Sequence, residues 1–366
     1  MQQPSFEKQA GEVETFWAYQ STGLGMDRLT RTEIKRRPLA EDEVRIRVAA
    51  AATNYRDLAL AKGEYLPHMK RPFVPLSEGA GIVTEVGGKI TDLKVGDAVL
   101  GHYTRDWLEG EFHARYHDSK VGGPVDGWLA QEVIMPRRAL LEVPEGWTLE
   151  QAASLAISGV TAWRALGGSM DSLAQLAGQY VLIEGTGNVS LQALDIAAKA
   201  GAFPVVLTSR PQYQQALLGM GACAVIGPGS LEQRRQWIMD ATQDQGVSLA
   251  IDVIGGDTLL SLILPLMREE GRVAIVGFLD SPKVSGDLIG PMLKGMLRLE
   301  GISVGSRQNF ADLLEFMQHH NLRPKIAARY SPDEIQQALT QRVDGLGKVV
   351  IVVDPSIAGS VVGENA

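Results

Sequence analysis

The chain has 366 residues, 45% of them hydrophobic and 21% charged, and a formal net charge of −8. That length fits two ordinary domains better than one, and the acidic balance excludes a nucleic-acid surface, which needs clustered Lys and Arg. A single cysteine, Cys223, excludes an internal disulfide, and no run approaches the roughly 18 apolar residues of a membrane span.

In chain order, Met1–Glu14 is polar and lacks the apolar core of a leader, so a cytoplasmic location is expected. The basic run Lys35-Arg36-Arg37 is short, sits beside Glu33 and Glu41, and reads as a solvated face. Residues up to about 150 look mostly β-structured. Val44, Ile46 and Val48 alternate with Glu43, Arg45 and Arg47, the period of a half-buried strand. Gly81–Val86 and Ala98–Leu100 are further strands, punctuated by the turn pairs Gly87-Gly88 and Gly96-Asp97. Tyr103–Gly127 is a long polar and aromatic excursion, with Trp107 and Phe112 as expected walls of a pocket.

From about Glu150 the rhythm becomes strand–helix alternation. Apolar runs at Tyr180–Ile183, Pro204–Leu207, Ala224–Ile226, Leu249–Ile254 and Arg272–Val276 enclose helical stretches such as Leu191–Ala200 and Leu231–Ala241. That pattern predicts a parallel sheet covered by helices. Farther on, Ser331-Pro332-Asp333-Glu334 is a capping box opening a helix with Ile335, Leu339 and Val343 on one face, before a last strand at Lys348–Val353.

Gly185-Thr186-Gly187-Asn188-Val189-Ser190 follows the first of these apolar strands and opens a helix. This is the turn of a dinucleotide site: one glycine bends the chain, the next admits the pyrophosphate, and Ser190 is small enough for the third position. The second strand ends in Thr208-Ser209-Arg210, with no acid to accept from a ribose 2′-hydroxyl. A hydroxyl and a guanidinium suit a 2′-phosphate instead, so the expected cofactor is NADPH.

With Asn54-Tyr55-Arg56-Asp57, Pro75-Leu76-Ser77-Glu78-Gly79, Val95-Gly96-Asp97, Val143-Pro144-Glu145-Gly146, Ala152-Ala153 and Thr161-Ala162-Trp163 in order and in spacing, the chain resembles the medium-chain dehydrogenase/reductase superfamily over nearly its whole length. The resemblance implies an α/β fold in two parts. A GroES-like β-rich catalytic domain would cover residues 1–155 with 304–366 returning to it, and a Rossmann doubly wound parallel-sheet domain would cover 156–303. The active site would lie in the cleft between them. Where zinc-dependent members carry Cys, His and a further Cys or Asp, this chain has Asn54, Ser77 and Ile157, which cannot build a three-ligand zinc site. No catalytic metal is expected. His113 and His117 are four apart but lack a clear further ligand, and His319-His320 suit the negative end of a helix.

This pattern is similar to the zinc-independent quinone oxidoreductase and enoyl reductase branch, and it implies NADPH-dependent hydride transfer to α,β-unsaturated carbonyl compounds or quinones. Conjugate reduction needs less help from a Lewis acid than alcohol oxidation does. Tyr65 matches the branch's catalytic tyrosine, Tyr55 is the second candidate donor, and Asn54 would bond the substrate carbonyl or the ribose. By the same resemblance Thr161 lies beside the nicotinamide, and Val253, Gly255, Gly277, Phe278, Leu279, Val304, Gly305, Ser306, Gly347 and Lys348 line the cofactor channel. A homodimer through an edge strand near Gly301–Val304 is implied as well. The competing readings are a carbonyl reductase or alcohol dehydrogenase, and a catalytically idle dinucleotide-binding protein.

Overall fold

The structure, a computed structural model, describes residues 14–363, so the reading of Met1–Glu14 lies almost wholly outside the described residues. Strands β1 (Thr15–Ser21) and β2 (Leu29–Lys35) form an antiparallel ribbon. β3 (Glu43–Ala52), β4 (Glu78–Val86), β5 (Ala98–Gly101), β6 (Glu132–Pro136) and β7 (Leu140–Glu142) follow. Val44, Ile46 and Val48 of β3 are buried as their period requires. Arg45 is buried too, because the opposite face of the strand is covered. Its guanidinium is held by Glu85 of β4 at 2.8 Å and Glu132 of β6 at 2.7 Å.

The chain then builds a second sheet from β8 (Tyr180–Glu184), β9 (Phe203–Leu207), β10 (Ala224–Ile226), β11 (Val247–Asp252), β12 (Met267–Ile275) and β13 (Arg298–Gly301). Its order is β10-β9-β8-β11-β12-β13 and every pairing is parallel, the doubly wound order of a dinucleotide-binding fold. Val181, Leu182 and Ile183 are all buried, since helices cover both faces. Finally β14 (Ile326–Tyr330) and β15 (Lys348–Val352) return to the first sheet, giving the path β14-β15-β3-β4-β5-β7 with β6 beside β3. β15 pairs antiparallel with β3 at Ala50–Ala52, immediately before Asn54.

The Ser331–Glu334 capping box forms, and the helix it introduces, Ile335–Thr340, buries Ile335 and Leu339. Val343 falls beyond that helix, in the loop to β15, because the helix ends one turn earlier than its apolar spacing predicts. The edge strand itself is Arg298–Gly301, and residues 302–304 lie past it.

The Tyr103–Gly127 excursion is irregular except for one short 3-10 helix, Ala114–Ser119. Trp107 is not an open pocket wall. It is buried against Phe112 and Tyr116, and its carbonyl accepts from Arg307 N at 2.9 Å, which pins the loop to the helix Arg307–His319. His113 and His117 are exposed, and among the described residues no group of three metal-ligating side chains exists. No helix of the described residues is long and apolar enough to cross a membrane.

Candidate active site

Asn54 caps the helix Tyr55–Lys62, and Asp57 returns the favour by accepting from Asn54 N at 2.8 Å. That reciprocal box fixes the Asn54 side chain at the end of β3. Its Nδ2 donates to Glu78 Oε1 at 2.9 Å, and its Oδ1 accepts from Lys348 Nζ at 2.7 Å. Lys348, first residue of β15, also donates to Thr53 O at 3.2 Å and pairs with Glu78. The other Glu78 oxygen accepts from Ile157 N at 2.8 Å. Glu78 and Lys348 are wholly buried, and both are fully satisfied, the condition under which a buried ion pair is tolerated.

Next to this cluster, Arg56 donates to Ser77 Oγ, to Val121 O at 3.1 Å and to Gly123 O at 2.9 Å, so it ties the helix to the excursion. Ser77 in turn donates to Asp57. Burial pushes the Asp57 carboxyl up, with the Arg56 guanidinium and the Ser77 bond pulling it back. The Arg56 guanidinium covers the Tyr103 ring at 4.9 Å and faces the Tyr65 ring at 5.9 Å. Tyr65 is half-buried; Tyr55 is 64% exposed. Burial raises the Tyr103 hydroxyl well above the usual phenol range. Leu76, just ahead of Ser77, is buried at φ 69°, a strained conformation of the kind that gathers at functional sites.

The facing side is the C-terminal edge of the parallel sheet. Gly185 takes φ 75° at the end of β8, and Gly187 opens the helix Asn188–Lys199 with no side-chain cap. The first-turn N–H groups, including those of Asn188, Val189 and Ser190, are thus available to an anion. Ser190 Oγ donates to Glu184 O at 2.6 Å and so closes the turn onto its strand. At the end of β9, Ser209 is exposed, while Arg210 lies back over the turn and donates to Thr186 Oγ1 at 2.7 and 2.9 Å and to Thr186 O at 2.9 Å. Tyr213 stacks under the Arg210 guanidinium at 4.9 Å, bonds Asp344 and accepts from Gly345 N at 2.7 Å. The loop that leads into Lys348 is therefore fastened beside Arg210.

Val253–Gly255 follow β11, and Asp252 shapes them by accepting from Ile254 N at 3.0 Å and Gly255 N at 2.7 Å. Leu279 N donates to Val253 O at 3.4 Å, which draws Gly277–Leu279 alongside, with Phe278 and Leu279 exposed. Beneath the glycine turn lies Glu184, buried with both side-chain oxygens unpartnered among the described residues. Its carboxyl is held well above the usual range by burial and then by the neighbouring Asp252. After β13, Val304 adopts φ 57°, exceptional for a β-branched residue. Gly305 approaches so closely that a Cβ there would meet Val160 Cγ1 at 2.8 Å, next to buried Thr161. Ser306 is committed to capping the helix Arg307–His319, accepting from Asn309 N at 3.2 Å. Gly347 packs its backbone on Lys325.

These placements bring two groups of expected residues together: Asn54 and Lys348 in one cluster, and the glycine turn, Ser209, Arg210 and the strand-end loops in another. Lys348 joins the first group rather than the second, because all three of its N–H groups are taken by Thr53, Asn54 and Glu78. Arg56 and Tyr103 stand beside the first cluster, and Glu184 and Asp252 beneath the second. Arg56 stood in the Asn54–Asp57 motif itself; the others carry no motif and are recognisable only by burial.

Catalytic zinc does not fit these residues. A cation among Asn54, Ser77 and Ile157 would face the Lys348 ammonium and the Arg56 guanidinium, and the neighbouring carboxylates among the described residues, Glu78 and Asp57, are already bonded to other donors. A dinucleotide does fit. A Cβ at Gly187 would meet nothing within 4 Å, so the mouth of the turn is open, and uncapped N–H groups and Arg210 stand around it.

Comparison with known proteins matches the two-part fold and its dinucleotide-binding sheet. The profile of the alcohol dehydrogenase GroES-like domain matches residues 40–145, and that of the zinc-binding dehydrogenases matches residues 189–319. A zinc-type alcohol dehydrogenase-like protein of Schizosaccharomyces pombe is 30% identical over 90% of this chain and 96% of its own. A quinone oxidoreductase-like protein 2 homolog of Nematostella vectensis is 27% identical over 95% of this chain and 92% of its own. A crystal structure from Sinorhizobium meliloti, provisionally described as an alcohol dehydrogenase, superposes with a TM-score of 0.83 at 30% identity, covering 93% of this chain and all of the other.

Proposed function

Because the chain belongs to the medium-chain dehydrogenase/reductase superfamily, we propose that it is an NADPH-dependent, zinc-independent reductase of α,β-unsaturated carbonyl compounds or quinones. One observation carries the reading: the buried Asn54–Glu78–Lys348 network commits the centre of the site to an ammonium and an amide. A site built this way favours acceptors whose reduction spreads charge within the substrate itself. The likeness to a quinone oxidoreductase-like protein supports the same class.

NADPH, when bound, supplies hydride. The turn Gly185–Ser190 would hold its pyrophosphate and Ser209 with Arg210 its 2′-phosphate. Thr161 and the loops at Val253–Gly255, Gly277–Leu279 and Val304–Gly305 would bound the nicotinamide end. Asn54, with one Nδ2 hydrogen committed to Glu78 and Oδ1 taken by Lys348, has one N–H left to direct at the substrate carbonyl or the ribose. Tyr65 would donate its phenolic proton to the carbonyl oxygen where charge develops, giving an enol that relaxes to the saturated carbonyl compound, or a hydroquinone from a quinone. Tyr55, largely in solvent, is the weaker donor. A homodimer through β13 would cover an edge flanked by exposed Phe278, Ile289, Leu293 and Met296. The single cysteine suits a cytoplasmic setting.

The test is a panel of enones, quinones, ketones and alcohols, each assayed with NADPH and NADH after exhaustive treatment with a strong chelator. Chelation-insensitive turnover of enones or quinones with NADPH is expected. Turnover of ketones alone, or activity lost on chelation and restored by zinc, would overturn the reading. No turnover of any acceptor by a protein that binds NADPH would leave a dinucleotide-binding protein without this chemistry.

A further inference from the structure

Lys120 is a buried cation that the chemistry above leaves unused. It follows the short helix Ala114–Ser119 and is fixed on both sides, by a β-bridge to Thr104 and by Val125 N, which donates to its carbonyl at 3.1 Å. The next residues run along the site: Arg56 bonds the carbonyls of Val121 and Gly123, and Gly122, at φ 73°, passes so near that a Cβ would come within 2.8 Å of Ser77 Oγ. Residues 121–123 therefore lie directly against Arg56 and the Leu76–Ser77 segment.

Only 4% of Lys120 is exposed, and among the described residues its ammonium forms no hydrogen bond or ion pair, while Nζ itself is not sealed from solvent. It sits 5.9 Å from the centre of the Tyr103 ring, the same ring that the Arg56 guanidinium covers at 4.9 Å. Two cations thus share one aromatic ring. The nearby carboxylate, Asp57, is 3.7 Å from Arg56 and already accepts from Ser77 Oγ and Asn54 N. This wall consequently carries a positive charge with nothing in the described chain to balance it. Burial strips part of the water from that ammonium, and a ligand anion reaching it through the side it leaves open would replace what is lost.

Resting on the reductase reading, we propose that Lys120 is a specificity-determining residue whose ammonium takes a carboxylate carried by the unsaturated substrate. Preferred substrates are then enones or quinones bearing an acid group. Burial, with a contribution from Arg56, lowers the Lys120 ammonium to about 8, so it is charged at neutral pH and loses its charge just above. The groups facing it are Arg56 and Tyr103, with Asp57 and Tyr65 behind them, and the raised Tyr103 hydroxyl keeps its proton through that window.

Two measurements test this. The first is binding of a saturated keto acid and of its methyl ester to the NADPH complex, by calorimetry, for the parent and for Lys120→Met. The acid should bind the parent about tenfold or more tightly than the ester, the preference should fade above pH 8, and Lys120→Met should abolish it while leaving the ester within twofold. Equal binding of acid and ester by the parent, or equal losses on both in the variant, overturns the proposal. The second is turnover of the matching unsaturated acid and ester. Turnover of neither refutes the reductase reading, and the binding comparison still decides the role of Lys120. Should Lys120→Met fail to fold, the parent's acid-to-ester ratio and its decline above pH 8 decide alone.

Discussion

Arg210→Ala offers the sharpest test of cofactor choice. Nε and Nη2 of Arg210 are engaged with Thr186, and its plane rests on Tyr213, so the guanidinium is already fixed before any ligand arrives. Nη1 has no partner among the described residues, which leaves one edge of the fork for a 2′-phosphate. Because the fork is pre-organised, little rotamer freedom remains to be lost on binding. A charge-assisted bond of this type contributes about 1.5–3 kcal/mol, or roughly one to two decades in Kd. Alanine also releases Thr186 and loosens the glycine turn, a loss that both cofactors share. The informative quantity is therefore the ratio of the two changes, measured by titrating parent and variant with NADPH and NADH at one ionic strength, since phosphate contacts are screened by salt. NADPH should weaken by one to two decades more than NADH. Equal weakening of the two would refute the assignment of Arg210 to the 2′-phosphate.

Lys348→Met leaves Glu78 as an uncompensated buried charge and should destabilise the fold by about 3–5 kcal/mol in denaturant unfolding. Adding Glu78→Gln should recover a large part of that loss, and no recovery would mean that the two residues do not act as a pair. Glu184→Gln should be more stable than the parent at pH 7, by about 1–3 kcal/mol. The folded chain holds the Glu184 proton at a pH where the unfolded chain has released it, so parental stability falls as pH rises above the ordinary Glu range. The gap should close as pH drops through about 4; a gap independent of pH would exclude this cause. Tyr65→Phe should lower kcat and kcat/KM for an enone together by roughly 100-fold, with NADPH affinity and melting temperature unchanged. An enone turned over at the parental rate would remove Tyr65 as the acid.

What could be read in advance was the periodic part of the molecule. Val181–Ile183 and Val44–Val48 announce their strands because burial on two faces or one imposes a period on the residues themselves. The glycine turn and the Ser331 box are legible for the same reason, since the geometry is local. Distant pairings left no such trace. Arg45 looked like a solvent-facing residue until β6 supplied Glu132, 87 residues away, to cover it. Trp107 looked like a pocket wall because its partners, Tyr116 and the start of the helix Arg307–His319, are not predictable from its neighbours. Glu184 continues a buried strand as an ordinary last residue, and only the parallel pairing of β8 with β11 sets Asp252 beside it. Lys120 carries no motif at all. Only the Tyr103 ring that it shares with Arg56 marks it out.

The link from β15 to Glu78 also bears on the order in which the protein can mature. Asn54 and Lys348 are 294 positions apart, and Glu78 and Lys348 are 270 apart. During synthesis the whole parallel-sheet unit therefore emerges before the residue that neutralises Glu78 does. Until β15 docks against Ala50–Ala52, Glu78 lacks the ammonium that balances it. Assembly of the Asn54–Glu78–Lys348 cluster is thereby tied to the arrival of β15.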